Sequence, residues 1–271
     1  MRRLSLLALA GLAAVATAQV AQAADMGSPV IPSAPQIEMP SEGGWYLRGD
    51  IGLSSQSAKR WQYNPNPPLG IDNASYQHTL SSTAFIGAGI GYAFNSWFRA
   101  DMTIEYRTGG RFTGRDVLIG PQSYENVLTS NMSSIVGMVN GYVDLGKWWG
   151  ITPYIGAGVG YAQNRMSTTI DTGVVVGVGA SSGVINGAAT GGFAWALMAG
   201  MAWDVSPSTK VELGYRYMNL GNFRSGAPCP TCTTAVQNYE IRDVVAHDVR
   251  LGLRYNLSTP PIAAAPIVAR Y

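Results

Sequence analysis

Between residues 44 and 257 the chain alternates apolar and polar positions with period two, in eight segments. Strict alternation places successive side chains on opposite faces of a β-strand. The sharpest case is WFRADMTIEYR (residues 97–107). There Phe98, Ala100, Met102, Ile104 and Tyr106 alternate with Arg99, Asp101, Thr103, Glu105 and Arg107. The other predicted strands cover residues 44–54, 82–94, 132–145, 152–162, 192–204, 210–218 and 246–257. Their connections alternate in length. Residues 95–96, 146–151 and 205–208 are short links, and 55–81, 108–131, 163–191 and 219–245 are long ones.

Two of the segments nearly repeat each other. TAFIGAGIGYAF (residues 83–94) and TPYIGAGVGYA (152–162) put Gly87, Gly89 and Gly91, and then Gly156, Gly158 and Gly160, on one parity. A dinucleotide loop needs G-x-G-x-x-G opening a helix, and neither spacing nor context fits. The unlike faces instead suit a wall between lipid and a crowded interior. The polar parity holds glycine with charges of both signs. The apolar parity carries Trp45, Phe94, Trp97, Phe98, Trp148, Trp149, Trp203 and Tyr255 towards one end, and Tyr106, Tyr161, Trp195, Tyr215 and Tyr217 towards the other. Two aromatic girdles flanking an apolar band mark a transmembrane barrel. Segments of roughly 9–13 residues match the ~9–11 that a tilted strand needs to cross a bilayer. In hydrocarbon every backbone group must pair, so the strands must close on themselves. The predicted fold is therefore all-β: a single eight-stranded antiparallel transmembrane β-barrel, with short periplasmic turns and four long extracellular loops. At eight strands the interior just holds side chains, and inward glycine relieves the crowding.

The ends read differently. Arg2 and Arg3, the apolar residues 4–18 and Ala21-Gln22-Ala23 form a secretory signal peptide over residues 1–23. Residues 24–43 are a Pro- and Ser-rich periplasmic lead, 44–257 the barrel, and 258–271 a Pro- and Ala-rich tail. Export places the chain in the outer membrane of a Gram-negative envelope. Losing residues 1–23 removes Arg2 and Arg3 and no acid, which leaves 16 basic residues against 16 acidic ones. Nucleic acid is thus not an expected partner.

The segments GWYLRGDIG (44–52), IGAGIGYAFN (86–95), NGYVDLG with TPYIGAGVGYA (140–162), VELGYRYMNLG (211–221) and AHDVRLGLRYNL (246–257) resemble the eight-stranded outer-membrane surface proteins of the opacity-protein type. They are similar in particular to the small porin-family outer-membrane proteins of alphaproteobacteria. The resemblance covers about residues 45–257. It implies the barrel, insertion by the barrel-assembly machinery, and lipid and lipopolysaccharide as surroundings. It implies one of several roles: envelope structure, surface antigen, adhesin, haem binder or porin. Members of that family end in an aromatic residue on the last strand. Here Tyr255-Asn256-Leu257 precedes fourteen further residues, and either Tyr271 or an internal signal takes that place.

Candidate chemistry lies on the inward parity: Arg48, Asp50, Arg99, Asp101, Glu105, Arg107, Lys210, Glu212, Arg216, Asp248, Arg250 and Arg254. Opposite charges on neighbouring strands can pair. Two readings stand, a salt-bridged plug and an ion-conducting lumen. Cys229 and Cys232 in SGAPCPTCTTA read as a local disulfide within the last loop, since exported chains form disulfides. No metal or cofactor site is expected, because further Cys or His are missing nearby. His78 and His247 are the only histidines. His247 and Asp248 point to opposite faces and no serine pattern accompanies them, so no catalytic group is expected. The uncharged stretch 172–187 either extends strands five and six or forms a contact surface, and loop 59–78 mixes aromatics with Asn and Pro. Either loop could meet an extracellular ligand. The reading is a non-catalytic envelope and surface-recognition protein; the alternative is a small-solute porin.

Overall fold

The structure is a computed structural model, and it describes residues 43–63, 75–118, 123–227 and 238–257. Among the described residues the regular elements are eleven strands: β1 (Gly44–Tyr63), β2 (Ser75–Leu80), β3 (Thr83–Ala93), β4 (Phe98–Leu118), β5 (Tyr124–Asp144), β6 (Ile151–Met166), β7 (Thr169–Val175), β8 (Gly179–Ile185), β9 (Ala188–Asp204), β10 (Thr209–Arg224) and β11 (Tyr239–Asn256). Eight of them, β1, β3, β4, β5, β6, β9, β10 and β11, pair antiparallel in that order, and β11 pairs back with β1. The ring is closed, as the alternation predicted.

Partner to partner, the ring can be traced from Tyr46 through Gly91, Asp101, Asn140, Gly158, Ala196, Met218 and Ala246 to Gln56. The return lands ten residues further along β1, the stagger that tilts the strands and sets the bore. On β1, Tyr46, Arg48, Asp50 and Ser54 are buried, while Trp45, Leu47, Ile51 and Leu53 are exposed to the outside. Near the periplasmic end Trp45, Tyr92, Phe94, Phe98 and Trp97 form a chain of ring contacts at 5.2–5.7 Å. Near the other end Trp195, Tyr217 and His247 do the same at 5.4–5.5 Å. These rings suit the two membrane–water interfaces.

The inward glycines have a steric cause. A Cβ on Gly91 would strike the Tyr46 ring, and one on Gly158 would strike the Asn140 amide. At Gly200 and Gly214 it would lie 2.6 Å from the Tyr154 hydroxyl. The short turns are chemically defined. Asn95 Oδ1 accepts from the backbone of Trp97 (3.0 Å) and Phe98 (2.7 Å).

The long connections are not simple loops. β1, β4 and β5 run for 20 or 21 residues, well past the length a bilayer requires. A register shift between Arg107 and Gly110 changes which residues of β4 face inward, and Asp243 (φ 52°) does the same on β11. Beyond these points the inward face becomes apolar. Trp61, Tyr63, Phe112, Leu128, Met132, Met166, Ile185, Phe223, Tyr239 and Ile241 pack there as one core. Trp61 meets Tyr63, Phe112 and Tyr239 edge-on at 5.3–6.2 Å, and Phe112 stacks on Tyr239 at 5.7 Å. The stretch 172–187 does not extend the fifth and sixth barrel strands. Most of it lies in the β7–β8 hairpin, which pairs with β5 beyond the end of β6. β5 outlasts β6 and offers a free edge from Thr129 to Tyr124, which β7 takes. The hairpin leaves Val174, Val176 and Val178 exposed towards its tip and Ile170 exposed at its base. The proposed signal peptide, the lead up to residue 42, the tail, and Cys229 and Cys232 lie outside the described residues.

The glycine argument has a direct check. Gly158→Val is expected to lower the stability of the refolded barrel by about 1–3 kcal/mol through overpacking. Gly137→Val, at a lipid-facing site where a Cβ meets nothing within 4 Å, is expected to leave it unchanged. Guanidinium unfolding in detergent micelles, followed by tryptophan fluorescence, reads both; equal effects would refute crowding as the cause.

Candidate functional site

The barrel brings the inward charges together in two layers. The layer nearer the outside joins β4, β10 and β11. Arg107 Nε donates to Glu105 Oε1 (2.8 Å) and its Nη2 to Asp248 Oδ2 (2.5 Å). Arg216 donates to the same Asp248 oxygen and to Glu105 Oε2, both at 2.8 Å. Ser54 accepts from Arg107 at 3.1 Å, and both guanidiniums lie 5.0 Å from the centre of the Phe85 ring. Two arginines and two carboxylates thus neutralise each other in a square.

The layer nearer the periplasm is wider. Arg48 forks onto Asp50 through Nε and Nη2 (2.8 Å each), and its Nη1 reaches Asp101 (2.7 Å) and the Tyr142 hydroxyl (2.9 Å). Glu212 lies among Arg48, Arg99 and Arg254 at 3.2–3.4 Å. Arg99 also pairs with Asp144 at 3.2 Å and stacks over Tyr142 at 4.1 Å. Arg250 has no acid within 4 Å among the described residues. It faces the hydroxyls of Tyr142 and Tyr154 at 3.5 Å, and its Nε has no acceptor. The charges within the wall are all buried to below a tenth of their free exposure except Asp144, which is partly buried, so each lies in a medium of low polarity, where an unpaired charge is costly.

Lys210 is the exception among the residues singled out from the sequence. It shares the inward parity but sits at the periplasmic rim, where Lys210 Nζ and Lys147 Nζ hold Asp204 at 2.7 and 2.6 Å. Being the second residue of its strand, it ends where the lumen opens to solvent. Several participants were not singled out: Asp144, Tyr46, Asn140, Tyr142, Tyr154, Ser54 and Phe85. Tyr46, Ser54, Asn140, Tyr142 and Asp144 share the parity of the polar residues on their own strands, and Phe85 and Tyr154 that of the inward glycines, which is the signal that finds them. His247 belongs to neither layer. It faces outward in the outer girdle, hydrogen-bonded to Tyr215 at 2.6 Å, while Asp248 points into the lumen. His78 Nε2 lies 3.0 Å from the carbonyl oxygen of Ala58 on β1. Among the described residues no group of three His, Cys, Asp or Glu is placed to hold a metal ion.

Above the apolar core, at the extracellular mouth, two further carboxylates are buried. Asp116 on β4 accepts from the Tyr63 hydroxyl at 3.4 Å, and Asp171 on β7 lies close enough to raise its pKa. Tyr239 ties β11 to this level through Thr169 (2.8 Å) and Ser130 (3.3 Å). Burial pushes Asp116 up to about 6; the hydrogen bond from Tyr124 opposes the shift and the charge of Asp171 adds to it. Burial alone pushes Asp171 up to about 6.

Two outcomes follow. Asp248→Ala strands Arg107 and Arg216 without their shared acceptor and is expected to cost about 3–5 kcal/mol in guanidinium unfolding; a loss under 1 kcal/mol would contradict the network. At the mouth, folded carboxyls titrate near pH 6 and unfolded ones near 3.8. Stability from these groups therefore rises as pH falls from 7 towards 4, and is lost as pH rises through 6. Asp116→Asn with Asp171→Asn should stabilise the barrel at pH 7.5, with the gain shrinking as pH falls through 6 and vanishing below 3.8. A gain independent of pH would rule this out.

The family comparison agrees with this architecture. The profile described as outer membrane protein beta-barrel domain matches residues 5–256. An uncharacterized protein of Brucella abortus is 32% identical over 270 residues, covering 86% of this chain and 91% of its own. A Rickettsia bellii protein with adhesin in its name is 26% identical over 223 residues, covering 79% and 88%. The crystal structure of the outer membrane protein OprG from Pseudomonas aeruginosa aligns over 79% of this chain and 97% of that one, at 12% identity and a TM-score of 0.47. A closed eight-stranded ring with girdled outer faces and a family profile spanning nearly the whole chain together identify a member of the outer membrane protein β-barrel family, located in the outer membrane.

Proposed function

We propose that this protein is a non-catalytic barrel with a sealed lumen, which contributes to envelope structure and offers its outer extensions for recognition or adhesion. The carrying observation is that the bore is filled twice over. Two layers of arginine–carboxylate pairs occupy the membrane-spanning part. The apolar core around Trp61, Phe112 and Tyr239 covers them on the outside. A solute would have to break both. The exposed apolar tip of β7–β8 offers a surface for an external ligand. The adhesin name of the Rickettsia relative supports this reading.

One observation favours a porin as the second reading. Arg250 and Arg99 keep guanidinium nitrogens without acceptors inside the wall, and these could pass an anion if the apolar core opened. Lipopolysaccharide as a neighbour, the barrel-assembly machinery during insertion, cleavage after residue 23 and a Cys229–Cys232 staple complete the proposal. Reduction of the exported protein should add two hydrogen atoms to its mass; free thiols would refute the staple.

The deciding experiment is solute flux through liposomes containing the refolded mature chain, with folding verified by the heat-dependent gel shift. No flux above empty liposomes is expected. Flux that scales with protein and is cut off by solute size would overturn the sealed lumen in favour of the porin.

A further inference from the structure

Above the outer aromatic girdle, three neighbouring strands turn cations outward. On β1, β11 and β10 the residues Trp61, Ile241 and Phe223 are buried in the apolar core. Alternation therefore points Arg60, Arg242 and Arg224 to the outside. Arg224 and Arg242 are 61% and 36% exposed at the side chain, and Lys59 beside them is 78% exposed. Arg60 and Arg242 are direct cross-strand partners. Like charges placed so are destabilising unless something anionic lies between them.

The fold supplies only part of that anion. Glu240, 5% exposed at its side chain, accepts from Arg224 Nε (3.1 Å) and Arg242 Nε (3.0 Å) from beneath. Burial alone would raise its carboxyl, and these two guanidiniums hold it below the usual range instead. Glu240 is thus a pedestal that aims two planar forks outward, itself steadied by Asn222 Nδ2 at 3.2 Å. Asp243 touches Lys59 only at 3.8 Å. Arg60 has no acid within 4 Å among the described residues. Four cations face two acids.

The height of the patch selects its ligand. Arg242 lies five residues beyond His247 of the outer girdle, and Arg60 seven beyond Leu53, which is exposed on the lipid-facing wall. On strands tilted about 40°, that is about 12–17 Å above the edge of the hydrocarbon. This is saccharide depth for an outer-leaflet glycolipid, past any acyl chain. Arginine forks match phosphate and sulfate oxygens in pairs, and water at this height leaves room for exchange. We propose that Arg60, Arg242 and Arg224, aimed by Glu240, form a binding site for a saccharide bearing clustered phosphate or sulfate groups. The source is either a glycolipid of the same leaflet or a glycan presented from outside. The site rests on the barrel's place in the outer membrane and does not depend on a sealed lumen.

The test uses the refolded mature chain in detergent micelles, titrated separately with purified phosphorylated lipopolysaccharide and with heparin. At least one probe should bind, with affinity falling as salt is raised. Arg60→Gln with Arg242→Gln should weaken that binding tenfold or more. Arg115→Gln, at an exposed pair with Glu125 elsewhere on the outside, should not change it. Binding of lipopolysaccharide alone assigns the site to the leaflet, and binding of heparin alone to an external glycan. If the double variant loses its heat-dependent gel shift, Arg60→Gln alone serves, because no described ion pair depends on Arg60; a threefold loss is expected. Binding of neither probe, or equal binding by wild type and variants, overturns the site. Liposome flux is blind to this outcome, so failure here leaves the lumen question where that experiment puts it.

Discussion

Inside hydrocarbon an unpaired backbone amide or carbonyl has nothing to bond to, and that constraint governs everything else in this molecule. A sheet satisfies it only if its first strand bonds to its last, as β1 does to β11 from Tyr46 to Tyr63. Closing eight strands with a ten-residue stagger leaves a bore about as wide as the side chains that must occupy it. Large inward groups are then possible only where neighbours give way. Tyr46 needs Gly91, Tyr154 needs Gly200 and Gly214, and Asn140 needs Gly158. The glycine repeat is the imprint of the arginines, tyrosines and carboxylates packed against it.

The same confinement explains why the charges come in balanced layers. A buried guanidinium is tolerated only with partners, and here the partners arrive from different strands: Asp248 serves Arg107 and Arg216, and Glu212 serves Arg48, Arg99 and Arg254. Each pair therefore reports that the ring has closed in the right register, since a one-residue slip would turn these groups to lipid. Beyond the membrane the constraint relaxes and the filling changes in kind. Water is available to the outer face, strands continue as hairpins, and an apolar core takes over the interior around Trp61, Phe112 and Tyr239.

The period-two alternation, the girdles and the alternating connection lengths were legible because each is local: a strand in a bilayer wears its two environments on alternate residues. The inward charges were legible for the same reason, and so were Tyr142 and Asp144, which share their parity. The outer core was not. Its members on β4 and β11 sit past the irregularities at Arg107–Gly110 and Asp243, where parity flips, so the alternation of Phe112 or Tyr239 cannot be carried over from the membrane segment of its own strand. Lys210 misleads for the opposite reason, since its parity is right but its position is at the rim.

By itself, then, the sequence determined the number of wall strands, which face of each meets lipid, and which side chains enter the bore, because these follow from the environment of single residues along one strand. Only the tertiary structure decided which charges meet, that β7 pairs with β5 rather than prolonging β6, and that Arg60 comes to lie against Arg242. Apart from pairs close along one strand, such as Arg48–Asp50 and Glu105–Arg107, the ion pairs of the bore and these strand contacts are relations between residues from 32 (Arg216–Asp248) to 182 (Arg60–Arg242) positions apart in the chain. They depend on the stagger with which the ring closes, a property of all eight strands together that no single segment carries.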